Sequence, residues 1–373
     1  MIICYARSSS LKDWEYCPQK YFINYNLGIK EPPNKKAVMG TITHKVLEWL
    51  ALAKLNWHPE KISFYDDSLN EQIEMLTQDL TATTILEDKT VDEINKTRSN
   101  KSIYKTVASI NYGTERKGYL LINDLIIRAF QYYSTKYKYD WTTSDLKNCG
   151  NWTWMALEWN NGNYDPRNLK IVSPERSFDI EIEQEWAKYD FVSGNKNISG
   201  NFSIKGTIDL ITEVNSDTLE IIDWKTGQRY DWAKGEEKTY EKLCNDVQLA
   251  LYHYAATKLY PHINHILFTI FFIRDGGPFT VTFDSDNLNN VEEILKQHFT
   301  EVKNVRLPKM LSNNQSDFRC TKLCSYYKNK WPNSDQNVCR FIHNEIKRIG
   351  MDAVIDRYKQ DNYEFNQYQS PGT

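Results

Sequence analysis

The 373-residue sequence contains no apolar run of the ~18 residues that a membrane-spanning helix needs. It also lacks a basic-then-apolar amino-terminal segment of the secretory type. These absences predict a cytoplasmic protein, or one of the host cytoplasm if the source is viral. Basic residues are not in excess: 46 Lys and Arg stand against 49 Asp and Glu, a net charge of −3. That balance excludes a nonspecific nucleic-acid coat, but not a chain that touches nucleic acid at a local basic patch beside an acidic metal site. No internal repeat and no G-x-x-x-x-G-K-[ST] pattern is visible, so helicase activity would need a partner chain. Cysteines are few and odd in number, seven in all, and without secretion signals they read as thiols or metal ligands rather than a disulfide framework.

The length is ample for a full core, in one elaborated domain or two. Ser8-Ser9-Ser10 reads as a helix cap before Leu11, Trp14, Tyr21 and Phe22, in a first helix that carries Cys17-Pro18. A second helix, 38–55, aligns His44, Leu47, Glu48 and Ala51 on one side. From 56 to 150 the pattern is mostly helical, with Leu69, Ile73, Leu76 and Leu80, then Leu121, Leu125, Ile126 and Phe130. The stretch 146–170, rich in Asn, Gly and Trp, reads as a loop boundary. Strands follow at 178–182, 202–210 and 219–225, then a helix at 240–259. A buried strand at 266–273 turns through Arg274-Asp275-Gly276-Gly277 into a partner at 279–283, and 286–304 is helical. The expected fold is α/β, a mixed central sheet flanked by helices. The expected division is 1–55, N-terminal helices; 56–168, a helical insertion; 169–304, the core; and 305–373, a C-terminal region and tail.

Asp209, Asp223 and Lys225 carry the chemistry. Residues two apart on a strand share a face, so Asp223 and Lys225 point into one site while Trp224 points away. A same-face salt bridge is the ordinary reading of such a pair. Here, however, the two charges end the strand Leu219–Ile222, apolar apart from Glu220, where unpaired charge is costly to bury. Two carboxylates can hold Mg²⁺, and a lysine beside it can position or help deprotonate a water attacking a phosphodiester.

The run Gly206-Thr207-Ile208-Asp209 followed by Ile222-Asp223-Trp224-Lys225 resembles the PD-(D/E)XK nuclease superfamily. Upstream, Gly40-Thr41-Ile42-Thr43-His44-Lys45-Val46-Leu47-Glu48 is similar to the G-x-x-x-H-x-x-L-E helix of its RecB-like branch. Downstream, Gln248 and Tyr252 match that branch's Q-x-x-x-Y helix. The resemblance implies a restriction-endonuclease-like core and a Mg²⁺- or Mn²⁺-dependent deoxyribonuclease, an exonuclease acting on DNA ends or single strands in repair, recombination or replication. It implies that Asp209, Asp223, the Trp224 carbonyl and His44 hold the metal, that Lys225 activates water, and that Gln248 and Tyr252 contact the substrate strand. Glu175 matches an acidic position often seen in RecB-like sequences. DNA is the implied partner, with a helicase or recombination or replication protein beside it. The alternative is a noncatalytic DNA-binding or assembly subunit that keeps the fold; a third reading is a zinc-stabilised RNA-binding or RNA-processing protein.

Cys17 near the start and Cys320, Cys324 and Cys339 near the end resemble the four-cysteine arrangement of iron–sulfur RecB-like nucleases, the AddB and CRISPR-associated exonuclease type. The resemblance implies a structural [4Fe-4S] cluster joining the chain ends, with tetrahedral Zn²⁺ equal on ligand count. The spacings, three residues between Cys320 and Cys324 and fourteen between Cys324 and Cys339, depart from the usual pattern. Cys4, Cys149 and Cys244 read as free thiols. In the insertion, Lys96, Arg98, Lys101, Lys105, Arg116 and Lys117 interleave with Tyr104, Tyr112 and Tyr119, which suits either a single-strand contact or a solvated helix face.

Overall fold

The computed structural model describes residues 1–56, 110–111, 119–120, 122–193, 196–231, 235–244, 246–282, 285–311 and 317–359. Its strands are β1 Tyr5–Ala6, β2 Ile110–Asn111, β3 Tyr119–Leu120, β4 Ile171–Glu181, β5 Lys188–Ser193, β6 Lys196–Asn201, β7 Ser203–Asn215, β8 Thr218–Lys225, β9 Tyr230–Asp231, β10 Glu236–Glu237, β11 His265–Phe272 and β12 Gly277–Thr282. Its α-helices are α1 Ser8–Tyr16, α2 Pro18–Tyr21, α3 Lys35–Asn56, α4 Ile122–Lys136, α5 Thr143–Glu158, α6 Tyr240–Cys244, α7 Val247–Leu259, α8 Ser285–Asn304, α9 Ser325–Lys328, α10 Val338–Ile349 and α11 Met351–Tyr358.

The central sheet runs β1-β7-β8-β11-β12, with β4 also on β7. It is mixed: β8 is antiparallel to β7 and parallel to β11, while β12 and β4 are antiparallel to their neighbours. The apolar residues of β8, interrupted by Glu220, have their cause in this central place, since both faces must be covered. Leu219 and Ile221 enter one core, with residues of α1, α7, α8 and α10; Ile222 and Trp224 enter a second, with residues of α3, α4 and α5. The architecture is the α/β sheet flanked by helices that a restriction-endonuclease-like core requires.

Three local expectations need correction. Ser8–Ser10 do not cap α1: Arg7 is the N-cap, and Ser10 Oγ accepts the Arg7 N–H at 2.8 Å. Cys17 does not lie within the first helix, because the residue before a proline is driven out of the helical region; it is extended (φ −168°) between α1 and α2. The segment 146–158 is helix, not loop. A Thr142/Asp145 capping box starts α5, and Leu146, Cys149, Trp152 and Trp154 bury against α3 and α4. The asparagines do break the chain just beyond, where Asn160 and Asn161 adopt positive φ.

The ends of the chain are tied together. The Met1 ammonium donates to the Val305 carbonyl at 2.9 Å, Lys20 bridges Asp13 and Glu31 at 3.0 Å each, and Glu31 accepts from Ser325 Oγ at 2.7 Å. No helix among the described residues is long and apolar enough to cross a membrane. Leu69, Ile73, Leu76 and Leu80, and the basic and aromatic residues named between 96 and 117, lie outside the described residues.

Candidate active site

The β7–β8 ladder ends at the pair Leu210↔Ile222. Asp209 and Asp223 are the next residues on each strand, where the two backbones part. Asp209 Oδ2 accepts the Trp224 N–H at 2.9 Å and stands 3.4 Å from Nδ1 of His44, which α3 supplies. Asp223, 2% exposed, has Oδ2 2.5 Å from Lys225 Nζ, and its Oδ1 accepts from Gln248 Nε2 at 3.2 Å. The same Gln248 amide donates to Tyr252 OH at 3.1 Å, since a four-residue step keeps both on one side of α7. Trp224 points the other way and is fully buried in the second core.

Glu175 enters from β4. Its neighbours pair as Pro174↔Leu210 and Arg176↔Ile208, which sets it opposite Asp209, and its φ of +44° is a rare conformation for a side-chain-bearing residue. His44, Glu175 and Asp209 each offer a donor atom within 4.8 Å of the others. Burial, then the charges of Asp209 and Glu48, push the Glu175 carboxyl up to about 8. Burial also raises Asp209, against the opposing pull of His44. Crowded, desolvated carboxylates beside an imidazole form a donor set that suits a hard divalent cation. Asp223 Oδ2, buried and 2.5 Å from the Lys225 ammonium, stands on the neighbouring strand.

Lys225 is driven in two directions. Burial lowers its pKa, but Asp223 and Asp209 raise it further, and the net shift is upward, so it is held as an ammonium. The cleft over this group is also lined by Lys45, Glu48, Tyr133 and Thr226.

The family model of the PD-(D/E)XK nuclease superfamily matches residues 8–328. The chain belongs to that superfamily. No curated protein matches it. Membership in the PD-(D/E)XK superfamily implies a metal-dependent nuclease, and the cluster of His44, Glu175 and Asp209 is its candidate metal site.

The PD-(D/E)XK helix α3 approaches the site through Gly40. A Cβ there would stand 2.5 Å from Thr226 Oγ1, one residue beyond Lys225. Gly40→Ala is therefore expected to cost about 1–3 kcal/mol through overpacking, and Gly40→Ala/Thr226→Ala, which removes the offending oxygen, to recover most of it. Denaturant unfolding of the two variants checks this; equal losses would mean that Gly40 serves something other than close approach.

Glu175 gives a second expectation. Its carboxyl is raised in the folded protein, so between pH ~4.5 and about 8 the metal-free folded state holds a proton that the unfolded chain has released. Stability must then fall as pH rises through that window. Glu175→Gln is expected to flatten this slope, as read from melting temperatures of chelator-treated protein; an unchanged slope would place its origin elsewhere.

Cys17, Cys320, Cys324 and Cys339 line one small, largely apolar cavity together with Tyr16, Ile23 and Met310. Cys17 sits at the α1–α2 break, Cys324 N-caps α9 and Cys339 lies in the first turn of α10. Burial pushes the Cys324 thiol up to about 11, and burial, then Cys17, Cys324 and Cys320, raise Cys339 further. No three of these sulfurs lie within 4.8 Å of one another. Lys12 was not singled out from the sequence, yet its Nζ donates to Gln248 Oε1 at 3.1 Å. Their separation by 236 positions offers no sequence pattern that could have shown it.

Proposed function

We propose that the protein is a RecB-like deoxyribonuclease, dependent on Mg²⁺ or Mn²⁺, that acts as an exonuclease on DNA ends or single strands, in repair, recombination or replication and beside a helicase or recombination or replication protein. One observation carries the reading: Asp209, Asp223 and Lys225 meet where β7 and β8 separate, with His44 delivered from α3 and Glu175 from β4. His44, Asp209, Asp223, the Trp224 carbonyl and Glu175 would hold the ion, which when bound neutralises charge developing on the phosphate. Lys225, kept protonated by the two aspartates, is a donor that orients the attacking water and faces the developing negative charge. Gln248 and Tyr252 form the wall along which the strand is guided. The four cysteines form a structural site for a [4Fe-4S] cluster, with tetrahedral Zn²⁺ the alternative on ligand count.

The divisions 1–55, 56–168, 169–304 and 305–373 serve this reading as N-terminal helices, insertion, nuclease core and cysteine region. End-labelled single- and double-stranded DNA, incubated with Mg²⁺ or Mn²⁺, is the test. Metal-dependent products support the reading, and the fate of the label gives the polarity. A folded, anaerobically purified protein that binds DNA without cleaving it would instead be the noncatalytic subunit.

A further inference from the structure

We propose that Lys12 of α1 is a positioning residue of this centre, setting the Gln248 amide that in turn holds the Asp223 carboxylate; the proposal rests on the nuclease reading above. The polar atoms form one chain. Lys12 Nζ donates to Gln248 Oε1 at 3.1 Å, and Gln248 Nε2 donates to Asp223 Oδ1 at 3.2 Å and to Tyr252 OH at 3.1 Å. An ammonium can only donate and an ionised carboxylate can only accept, so the two charges fix the amide with its oxygen toward α1 and its nitrogen toward β8. A flipped amide would face N–H groups to the ammonium and oxygen to the carboxylate, and lose both bonds.

Lys12 is held for this task. The backbone N–H of Gln248 is capped by Asp246 at 2.7 Å, and the Asp246 carboxylate lies 3.8 Å from Lys12 Nζ, so one ammonium faces both the cap and the amide at the start of α7. The neighbouring turn of α1 is anchored by Asp13, which takes Lys20 and Asn24 at 3.0 Å each. A direct phosphate contact is the obvious competing role. The cleft that Lys12 lines argues against it, since four basic side chains there stand against five acidic ones, leaving no net attraction for a polyanion.

The Lys12 side chain is 49% exposed, so its substitution leaves the core intact, and a part-exposed pair of this kind sets a modest scale. With up to ~1 kcal/mol at stake, Lys12→Met is expected to lower kcat about fivefold with KM within about twofold. Lys12→Arg, which restores a donor, should return kcat toward the native value. Mn²⁺ affinity, read by electron paramagnetic resonance without substrate, should weaken in Lys12→Met by a similar factor. In a Gln248→Leu background, Lys12→Met should change neither quantity further. A rise in KM alone would make Lys12 a phosphate contact, and additive losses in the Gln248→Leu background would remove the relay; either overturns the proposal, as does an unaltered Lys12→Met. A native protein that binds Mn²⁺ but does not cleave DNA would refute the nuclease reading alone, leaving the relay to be judged by the Mn²⁺ cycle.

Discussion

Lys225→Ala is expected to lower kcat by about 10²–10³-fold, the scale for removing one preorganised donor from a site where charge develops, and Asp223→Ala to lose activity at least as far. The two losses have different companions. Asp223 is 2% exposed and lies beside Lys225 at 2.5 Å, so Lys225→Ala also strands a buried carboxylate. Lys225 itself is 35% exposed at its side chain, so the cost is about 1–3 kcal/mol, below that of a fully buried pair. Asp223→Asn/Lys225→Met removes both charges and should recover that stability while staying inactive. Rapid-quench cleavage together with melting of the metal-free protein separates the effects. A stable, inactive double variant assigns Lys225 to the chemistry. A Lys225→Ala variant that cleaves at the native rate would remove it from the mechanism, whatever its stability.

The site was legible where function imposes a sequence pattern and illegible where packing alone decides. Two charges closing a strand whose other residues, Glu220 apart, are mostly apolar stand out because burial would expel them from a merely structural strand, and Asp223 and Lys225 do pair on one face. Asp209 is visible as an acid one strand earlier, but only the register shows that it lies just past the last β7–β8 pair, where the strands open and both carboxylates can face one volume. Glu175 is the reverse case. Its acidic type is readable in the sequence, yet its place beside His44 and Asp209 depends on a positive φ in the middle of β4, which no alternation pattern encodes.

The fold follows the same division. β7, β8, β11 and β12 alternate or run apolar, as strands in a covered sheet must, and were visible. The helix α5 was not, because Asn, Gly and Trp within 146–158 resemble loop composition; its tryptophans face α3 and α4, and tertiary burial overrides local propensity. Lys12 shows a further limit. An exposed lysine on a short helix has no local signature, and only the three-dimensional meeting of α1 with α7 gives it a partner.

Cys17→Ser and Cys339→Ser are each expected to lower the melting temperature by about 6–8 °C while leaving activity per folded molecule nearly unchanged at low temperature. The cavity that Cys17, Cys320, Cys324 and Cys339 share joins segments some 300 residues apart in the chain. On the crosslink argument, closing so long a loop restricts the unfolded chain by about 5–6 kcal/mol. The direct bonds between the ends, Met1 to Val305 and Glu31 to Ser325, form only in the folded state and restrict nothing once the chain opens. A bound group that stays ligated is different, since it constrains both states. Burial raises the Cys324 and Cys339 thiols, so without a bound group they stay protonated, and ligation must release those protons. The stabilisation should therefore weaken as pH falls, in the opposite sense to the Glu175 effect. Calorimetry of the iron-loaded and chelator-treated protein checks both points, with Cys4→Ser as the control outside the cavity. Cysteine variants that melt with the native protein would leave the ends joined by hydrogen bonds and ion pairs alone.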